Sequence, residues 1–418
     1  MYNSDSFFKK NNLSMVFPYD NHRLSLCEDK NDSSKILSAF TIDDEETYDN
    51  DDAITVMKTP DGFCLYVHIT NFSNHIQYKS VYDEEAKKRI NTIYTPVWNF
   101  DLYSRDIVDQ ISLREGKTRE TISVRYDISN YEIIDYKVLN CTIKVEKNYS
   151  YKEFDEKLKS NKDLEFLNIF ANELREKRIQ NADFSSFNEQ LSISEKNKKL
   201  FVKTNDQLVS FGIVSELMIL ANKTFSDYTI DNSIPAIYRS QSKSDDLEVL
   251  EIPADPPISF YKNVSPVEVS TEYGYHFGLG VSSYLQLSSP IRRYSDSILM
   301  RQLDNWLKNS TMMFSENELT SIIKSTKEPV QLNKNKSRNN HKFWALKLIE
   351  ENNFTELSGY VYSDSRNQYV IYFHEFGFFH AIKKIDCKRF YKIKEEIKIS
   401  YNFIDPNALY IDGILDIP

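Results

Sequence analysis

Residues 36–70 alternate apolar runs of strand length with one dense block of negative charge: ILSAFTID, an acidic stretch, AITVMKT, Pro60-Asp61-Gly62 and FCLYVHIT. Seven carboxylate side chains fall within TIDDEETYDNDD, residues 41–52. Apolar runs bounded by turn residues predict strands, and Pro60-Asp61-Gly62 predicts a hairpin turn. The charges are thus tied to rigid backbone and cannot simply drift apart. Two outcomes satisfy that constraint. The run is a solvated acidic loop, the ordinary fate of such segments, or the anions are gathered and their repulsion is relieved by raised pKa values or by a cation.

Asp43, Asp49, Asp51 and Asp52 form the candidate constellation. Hard divalent ions take oxygen ligands and tolerate such crowding, Mg²⁺ most readily when a substrate phosphate completes its shell. A calcium loop of the EF-hand type is excluded by register. Counted from Asp43, the glycine position holds Tyr48 and the final glutamate position Ile54; counted from Asp49, they hold Ile54 and Pro60. The alternative to a solvated loop is a nest for one or two Mg²⁺ or Mn²⁺ ions, which would activate water and stabilise the leaving oxygen of a phosphodiester.

A second stretch, YLQLSSPIRRYSD (284–296), sets Arg292 and Arg293 behind a rigid Ser-Pro step. Arginine grips phosphate oxygens bidentately and supports developing negative charge. The same pattern also describes an ion pair closing a helix start. Glycine is scarce, 9 residues in 418, and no phosphate-cradling glycine motif occurs. The net charge of −10 speaks against a general basic coat for nucleic acid. Basic residues do gather in KNKSRNNHK (334–342) and KKIDCKRFYKIK (383–394), each read as a solvated face or a local nucleic-acid patch. Four scattered cysteines without a CxxC pair fit a reducing compartment. No segment has the apolar length of a secretory signal or a membrane span, so the expected location is cytoplasmic, with an organelle reached through the Lys- and Asn-containing leader as the alternative, and no membrane partner is expected.

Residues 1–35 are polar and read as a short N-terminal arm. Helical spacing marks 83–94, 155–179 and 213–228, with β-rich sequence at 123–145 between the first two. The span 36–350 therefore reads as a large α+β domain. From about residue 351 to 418 short strands alternate with turn residues. This is the pattern of a small five-stranded OB-type β-barrel, a frequent single-stranded nucleic-acid binder, or of an all-β appendage.

Taken together, TIDDEETYDNDDAI and YLQLSSPIRRYSDSILMRQL resemble the two signatures of the ribonuclease II family, the RNB-domain exoribonucleases. YVHIT (66–70), EAKKRINTIYTP (85–96), ISLREGKTR (111–119), VSELMILAN (214–222) and STEYGYHFGLG (270–280) follow in the family's order, so the resemblance covers about residues 36–350. It implies an α+β RNB catalytic domain with a C-terminal OB-type (S1-like) barrel. The implied activity is Mg²⁺-dependent 3′-to-5′ hydrolysis of single-stranded RNA to 5′-nucleoside monophosphates, with Mn²⁺ as a substitute ion. Asp43, Asp49, Asp51 and Asp52 resemble the family's metal-surrounding carboxylates, Asp51 being the one most directly required. Arg292 resembles the arginine on the scissile phosphate, Tyr94 the tyrosine that packs on the terminal nucleotide, and Glu216 the acid near the last ribose. From the residues alone, Tyr94 reads rather as a core aromatic and Glu216 as a helix glutamate in a local ion pair.

The chain departs from the family pattern at Asn71 (usually Asp), Ser288 (usually Thr) and Ile111 (often Cys). The first two keep hydrogen-bonding capacity. The family's second stacking aromatic has no evident counterpart in the divergent segment 180–210. Only about forty residues precede the acidic motif, where typical members carry two cold-shock domains. The expectation is weaker RNA retention, compensated by the C-terminal barrel, the channel or a protein partner. The rival expectation is a catalytically silent RNB protein that binds RNA or scaffolds a degradation complex.

Overall fold

Strands β1 (Leu37–Asp43), β2 (Asp52–Thr59), β3 (Gly62–Thr70), β4 (Thr118–Ser129) and β5 (Glu132–Ser150) close into a barrel. The computed structural model describes residues 7, 11, 13–19, 36–180, 191–203, 208–243, 248–251, 259–262, 265–387 and 389–415. Adjacent strands pair antiparallel except β1 and β5, whose parallel pairing closes the barrel and sets Asp43 opposite Ser150. The β2–β3 hairpin turns over Pro60-Asp61 as the turn residues predicted. Gly62 has a φ of +154°, and a Cβ there would lie 2.0 Å from the Ile128 carbonyl oxygen, so only glycine fits.

Strand alternation gives the barrel two faces. Ile54, Val67, Ile69, Ile122 and Val124 share the main core with residues of two helices, α5 and α6 below. The opposite, inward face carries a polar ladder. His68 is fully buried there, its Nδ1 2.7 Å from Ser123 Oγ and its Nε2 3.0 Å from Thr55 Oγ1.

The helices are α1 (Val81–Arg89), α2 (Arg105–Ile111), α3 (Tyr151–Ser160), α4 (Lys162–Gln180), α5 (Val209–Asp231), α6 (Tyr294–Asn309) and α7 (Glu316–Glu351). Two differ from the helical spans expected from spacing. The span 83–94 stops being helical at Arg89, because Ile90 takes a φ of +70° and turns the chain. Asn91 then bridges Arg293, and the Thr92 amide donates to the Arg292 carbonyl at 2.9 Å. Long-range pairing overrides local helix propensity there. The span 155–179 is divided at Asn161, whose extended backbone ends α3 before α4 begins.

A hairpin of β6 (Ser192–Lys196) and β7 (Lys199–Lys203) follows α4 in the chain. Short pairs join β8 (Tyr238–Ser240) to β11 (Glu268–Ser270) and β9 (Glu248–Glu251) to β10 (Ser259–Lys262). At the C-terminal end, β12 (Glu356–Asp364), β13 (Gln368–Phe373), β14 (Phe378–Lys383), β15 (Glu396–Asp405) and β16 (Tyr410–Leu415) form one antiparallel sheet in the order β14-β13-β12-β15-β16. His380 Nε2 lies 3.2 Å from the Ile411 carbonyl oxygen and links the outermost strands, so the sheet is a nearly closed barrel of the expected OB type. Its core is continuous with Phe343, Trp344, Leu346 and Ile349 of α7.

Most of the expected N-terminal arm lies outside the described residues. Its described part is docked: Phe7 is buried and stacks on Phe343 at 4.4 Å, and Arg89 donates to the Ser14 and Val16 carbonyls. Among the described residues no helix is long and apolar enough to cross a membrane.

Burial pushes the His68 imidazole down to about 3. An unfolded histidine titrates near 6.5, so between those values the unfolded state binds the extra proton. The contribution is intact above about pH 6.5 and is lost as pH falls, at about 1.4 kcal/mol per pH unit. Urea titrations of a His68→Gln variant should show a shallower loss of stability between pH 6 and pH 4 than the parent chain. Identical slopes would refute this assignment.

Candidate active site

The acidic run lies where the first barrel ends. Asp43 is the last residue of β1 and Asp52 the first of β2. The loop between them is pinned by backbone bonds from the Thr70 amide to the Asp51 carbonyl (2.8 Å) and from the Leu113 amide to the Asn50 carbonyl (2.9 Å). Asn50, itself buried, donates from Nδ2 to Asp43 Oδ2 at 2.6 Å. Asp49, Asp51 and Asp52 are buried, and Asp43 is half-buried. The acidic run is therefore split: Glu45 and Glu46 are exposed, while these four are drawn inward.

The second motif arrives from the turn ahead of α6. Arg292 Nε donates to Asp51 Oδ2 at 2.6 Å, and the Ile291 amide donates to Asp51 Oδ1 at 2.8 Å. Arg292 Nη2 also holds Ser289 Oγ at 2.9 Å. Arg293 points elsewhere, through Nε (2.8 Å) and Nη2 (2.6 Å) to Asp296 Oδ2 in the first turn of α6. The two readings of the arginine pair thus divide between neighbours: Arg293 closes the helix start and Arg292 enters the site. Beneath them Asn222 takes the Leu287 amide and donates to Ser288 Oγ and Tyr284 Oη.

Burial and crowding act on the acids in the same direction. Burial is the main cause that lifts the Asp51 carboxyl to about 7; Arg292 opposes it and Asp49 adds to it. Asp52 is raised well above the usual range by burial and then by Asp43, and Asp43 is raised by burial against the Asn50 bond. One guanidinium faces four carboxylates, so the cluster carries a deficit of positive charge.

A cavity of about 670 Å³ opens beside this cluster. Asp49, Tyr94 and Arg292 line it, together with Tyr48, Tyr151, Phe211 and Trp344. Tyr94 Oη donates to Asp49 Oδ2 at 2.5 Å while its ring stays 46% exposed, and Asn340 Nδ2 holds the Tyr94 carbonyl at 2.9 Å. Glu216 is not among the cavity's lining residues. It is buried in a two-pronged ion pair with Arg178 (2.6 and 3.1 Å), the local-pair alternative for a helix glutamate.

Tyr151, Phe211 and Trp344 escaped the sequence reading. Tyr151 directly follows Ser150, the parallel partner of Asp43, and its ring meets Phe211 edge-on at 5.5 Å. Only the parallel closure of the barrel reveals that adjacency. Phe211 lies just beyond segment 180–210, much of which falls outside the described residues.

The donor chemistry fits a hard divalent cation: carboxylate oxygens in excess of local positive charge, lifted in pKa by burial and crowding. Among the described residues no three acidic, histidine or cysteine side chains converge as a preformed cage. Mg²⁺ does not require one, since it keeps several waters and uses one or two carboxylates plus substrate phosphate.

The site thus joins an acidic barrel end to an arginine beside an aromatic-lined cavity. The RNB domain model matches residues 31–264 and 257–309, more than half of the chain, which belongs to the RNB domain family. Ribonuclease R of Thermotoga maritima is 29% identical over 324 residues, 65% of this chain and 45% of that protein. RNase R of Mycoplasma genitalium, solved in complex with ribose methylated single-stranded RNA, matches at a TM-score of 0.84 and 18% identity, over 99% of this chain and 78% of that one. Yeast Ssd1, described as a pseudonuclease, matches at a TM-score of 0.67 and 16% identity, over 95% of this chain and 56% of that one. The chain spans about half the length, or less, of the curated relatives it matches.

An acid whose folded pKa exceeds its unfolded value destabilises the fold as pH rises between them, here from about 4 to about 7. Asp51→Asn should therefore raise the melting temperature at pH 7.5 in EDTA, by a few degrees, and leave it nearly unchanged at pH 4. A lower melting temperature at pH 7.5 would show that the pairing with Arg292 outweighs the crowding.

Proposed function

We propose that the chain is a hydrolytic 3′-to-5′ exoribonuclease that degrades single-stranded RNA to 5′-nucleoside monophosphates with Mg²⁺ as its ion. One observation carries the reading: two motifs more than two hundred residues apart meet in the buried Asp51–Arg292 pair, and Arg292 lines a cavity that Asp49 and Tyr94 also line. The ribonucleases among the relatives support it. Asp43, Asp49, Asp51 and Asp52 would hold Mg²⁺, which when bound supplies an activated water and neutralises the phosphate.

The chain's own groups do the rest. Tyr94 offers its ring to the terminal base and takes its orientation from Asp49. Phosphate entering the site competes with Asp51 for Arg292, since guanidinium binds either anion bidentately. Transfer of Arg292 to the phosphate frees Asp51 Oδ2 to orient the attacking water and accept its proton, while the Ile291 amide keeps its hold on Oδ1. The new P–O bond forms in line as the bond from phosphorus to the penultimate 3′-oxygen breaks. That oxygen takes up a proton from solvent, and the terminal residue leaves as a 5′-monophosphate. Glu216 reads the last ribose in this scheme only after Arg178 releases it. The proposed compartment is the cytoplasm, supported by the free thiols of Cys64 and Cys141.

The second reading is a silent RNB protein that binds RNA or scaffolds a degradation complex. It draws on the pseudonuclease among the structural neighbours and on the engagement of both Asp51 oxygens. A 5′-labelled poly(A) strand with Mg²⁺, its products resolved by length, separates the two. Stepwise shortening from the 3′ end is expected, and Asp51→Asn should lower turnover by roughly 10²–10³-fold. Equal inertness of parent and variant would establish the silent protein. Mg²⁺ should raise the melting temperature of the parent and do so less for Asp52→Asn; an unchanged parent would remove the ion from the proposal. Parent chain should also prefer an RNA over a DNA 3′ end, and Glu216→Gln should narrow that preference.

A further inference from the structure

Helix α7 presents two adjacent faces of different character. Ser337, Asn340, His341 and Trp344 are on the side that walls the cavity. Beside them, at about 100° per residue, Lys324, Lys327, Lys334 and Arg338 fall in one column within roughly 80° of arc. All four are exposed, and none makes an ion pair among the described residues. Glu328 is the sole acidic residue between positions 319 and 349. Lys342 would extend the column, but it is turned to His380 Nδ1 at 2.9 Å against the C-terminal barrel.

Surface lysines on a helix are ordinarily solvated and bind nothing. Two observations set this column apart. It is a local excess of positive charge on a chain of net charge −10. It also runs without a break into the active-site wall, since Lys334 and Arg338 are helical neighbours of Ser337 and His341, both of which line the cavity. From Lys324 to Arg338 the helix rises about 21 Å.

We propose that this column is a second RNA-binding site, a track for the phosphate backbone of the strand upstream of the scissile bond. It rests on the reading of RNA as substrate. Exposed lysine and arginine side chains contact phosphate without reading bases, so the track holds the strand irrespective of sequence and directs it to the cavity mouth. It assigns a function to Lys334 and Arg338, basic residues of the stretch 334–342 that do not line the cavity.

The test is fluorescence anisotropy with 5′-fluorescein-labelled A30 and A5 in EDTA, where binding is read without cleavage. The track variant is K324Q/K327Q/K334Q/R338Q. A charge-matched control, K117Q/K137Q/K152Q/K159Q, removes four exposed lysines elsewhere. For the track variant the Kd for A30 should rise roughly tenfold or more, and the slope of log K against log salt should fall by about 3. Its Kd for A5 should stay within about twofold, as should both values for the control. A track variant that behaves like the control overturns the track and leaves the substrate reading intact. Equal losses for A30 and A5 also overturn it, because the column would then act on the cavity itself. A parent chain that binds neither strand removes the substrate reading and the track together.

Discussion

The confrontation of four carboxylates with a single guanidinium organises this protein. Asp43, Asp49, Asp51 and Asp52 are held closer than their charges favour, and burial makes the crowding worse. Such a cluster survives only if the surrounding backbone leaves it no room to relax. Here the ends of β1 and β2, the parallel partner β5 and amide bonds from Asn50 and Thr70 provide that restraint. Arg292 answers part of the charge. The remainder stays as uncompensated negative charge, expressed in the raised pKa values of Asp43, Asp51 and Asp52.

Much of the surrounding structure serves to aim these few groups. Ile90, a β-branched residue at positive φ, turns the chain out of α1 so that Asn91 and Thr92 pair with the arginine turn and Tyr94 reaches the cavity. The start of α1 is anchored by a buried pair, Arg301 with Asp83 at 3.1 Å, and Arg301 also donates to the Ser297 and Ile76 carbonyls. A buried ion pair adds little net stability, but it fixes position. Helix α7 unites three tasks: one side walls the cavity, its last turns enter the C-terminal barrel core, and its exposed column carries positive charge away from the site.

The fold by itself does not separate an enzyme from a binder. The same architecture accommodates ribonucleases R and a pseudonuclease, and function resides in the side chains set into it. In this chain those side chains include the buried pair of Asp51 with Arg292. Glu216 lies outside this group, with both of its oxygens satisfied by Arg178.

Local sequence determined a good deal. Alternating apolar residues and a Pro-Asp-Gly turn specify the β2–β3 hairpin, and hence the rigid seat of the acidic run, because strand and turn preferences act over a few residues. The short C-terminal strands and the helix around residues 213–228 were legible for the same reason. Tertiary structure alone decided which of two adjacent arginines faces the acids, since Arg292 finds its partner 241 residues away while Arg293 finds one three residues on. It likewise decided that Glu216 meets Arg178, that the helix begun at Val81 ends at Arg89, and that Tyr151, Phe211 and Trp344 share one cavity. Side-chain direction depends on backbone turns and on contacts between distant segments, and neither is written in the spacing of neighbouring residues.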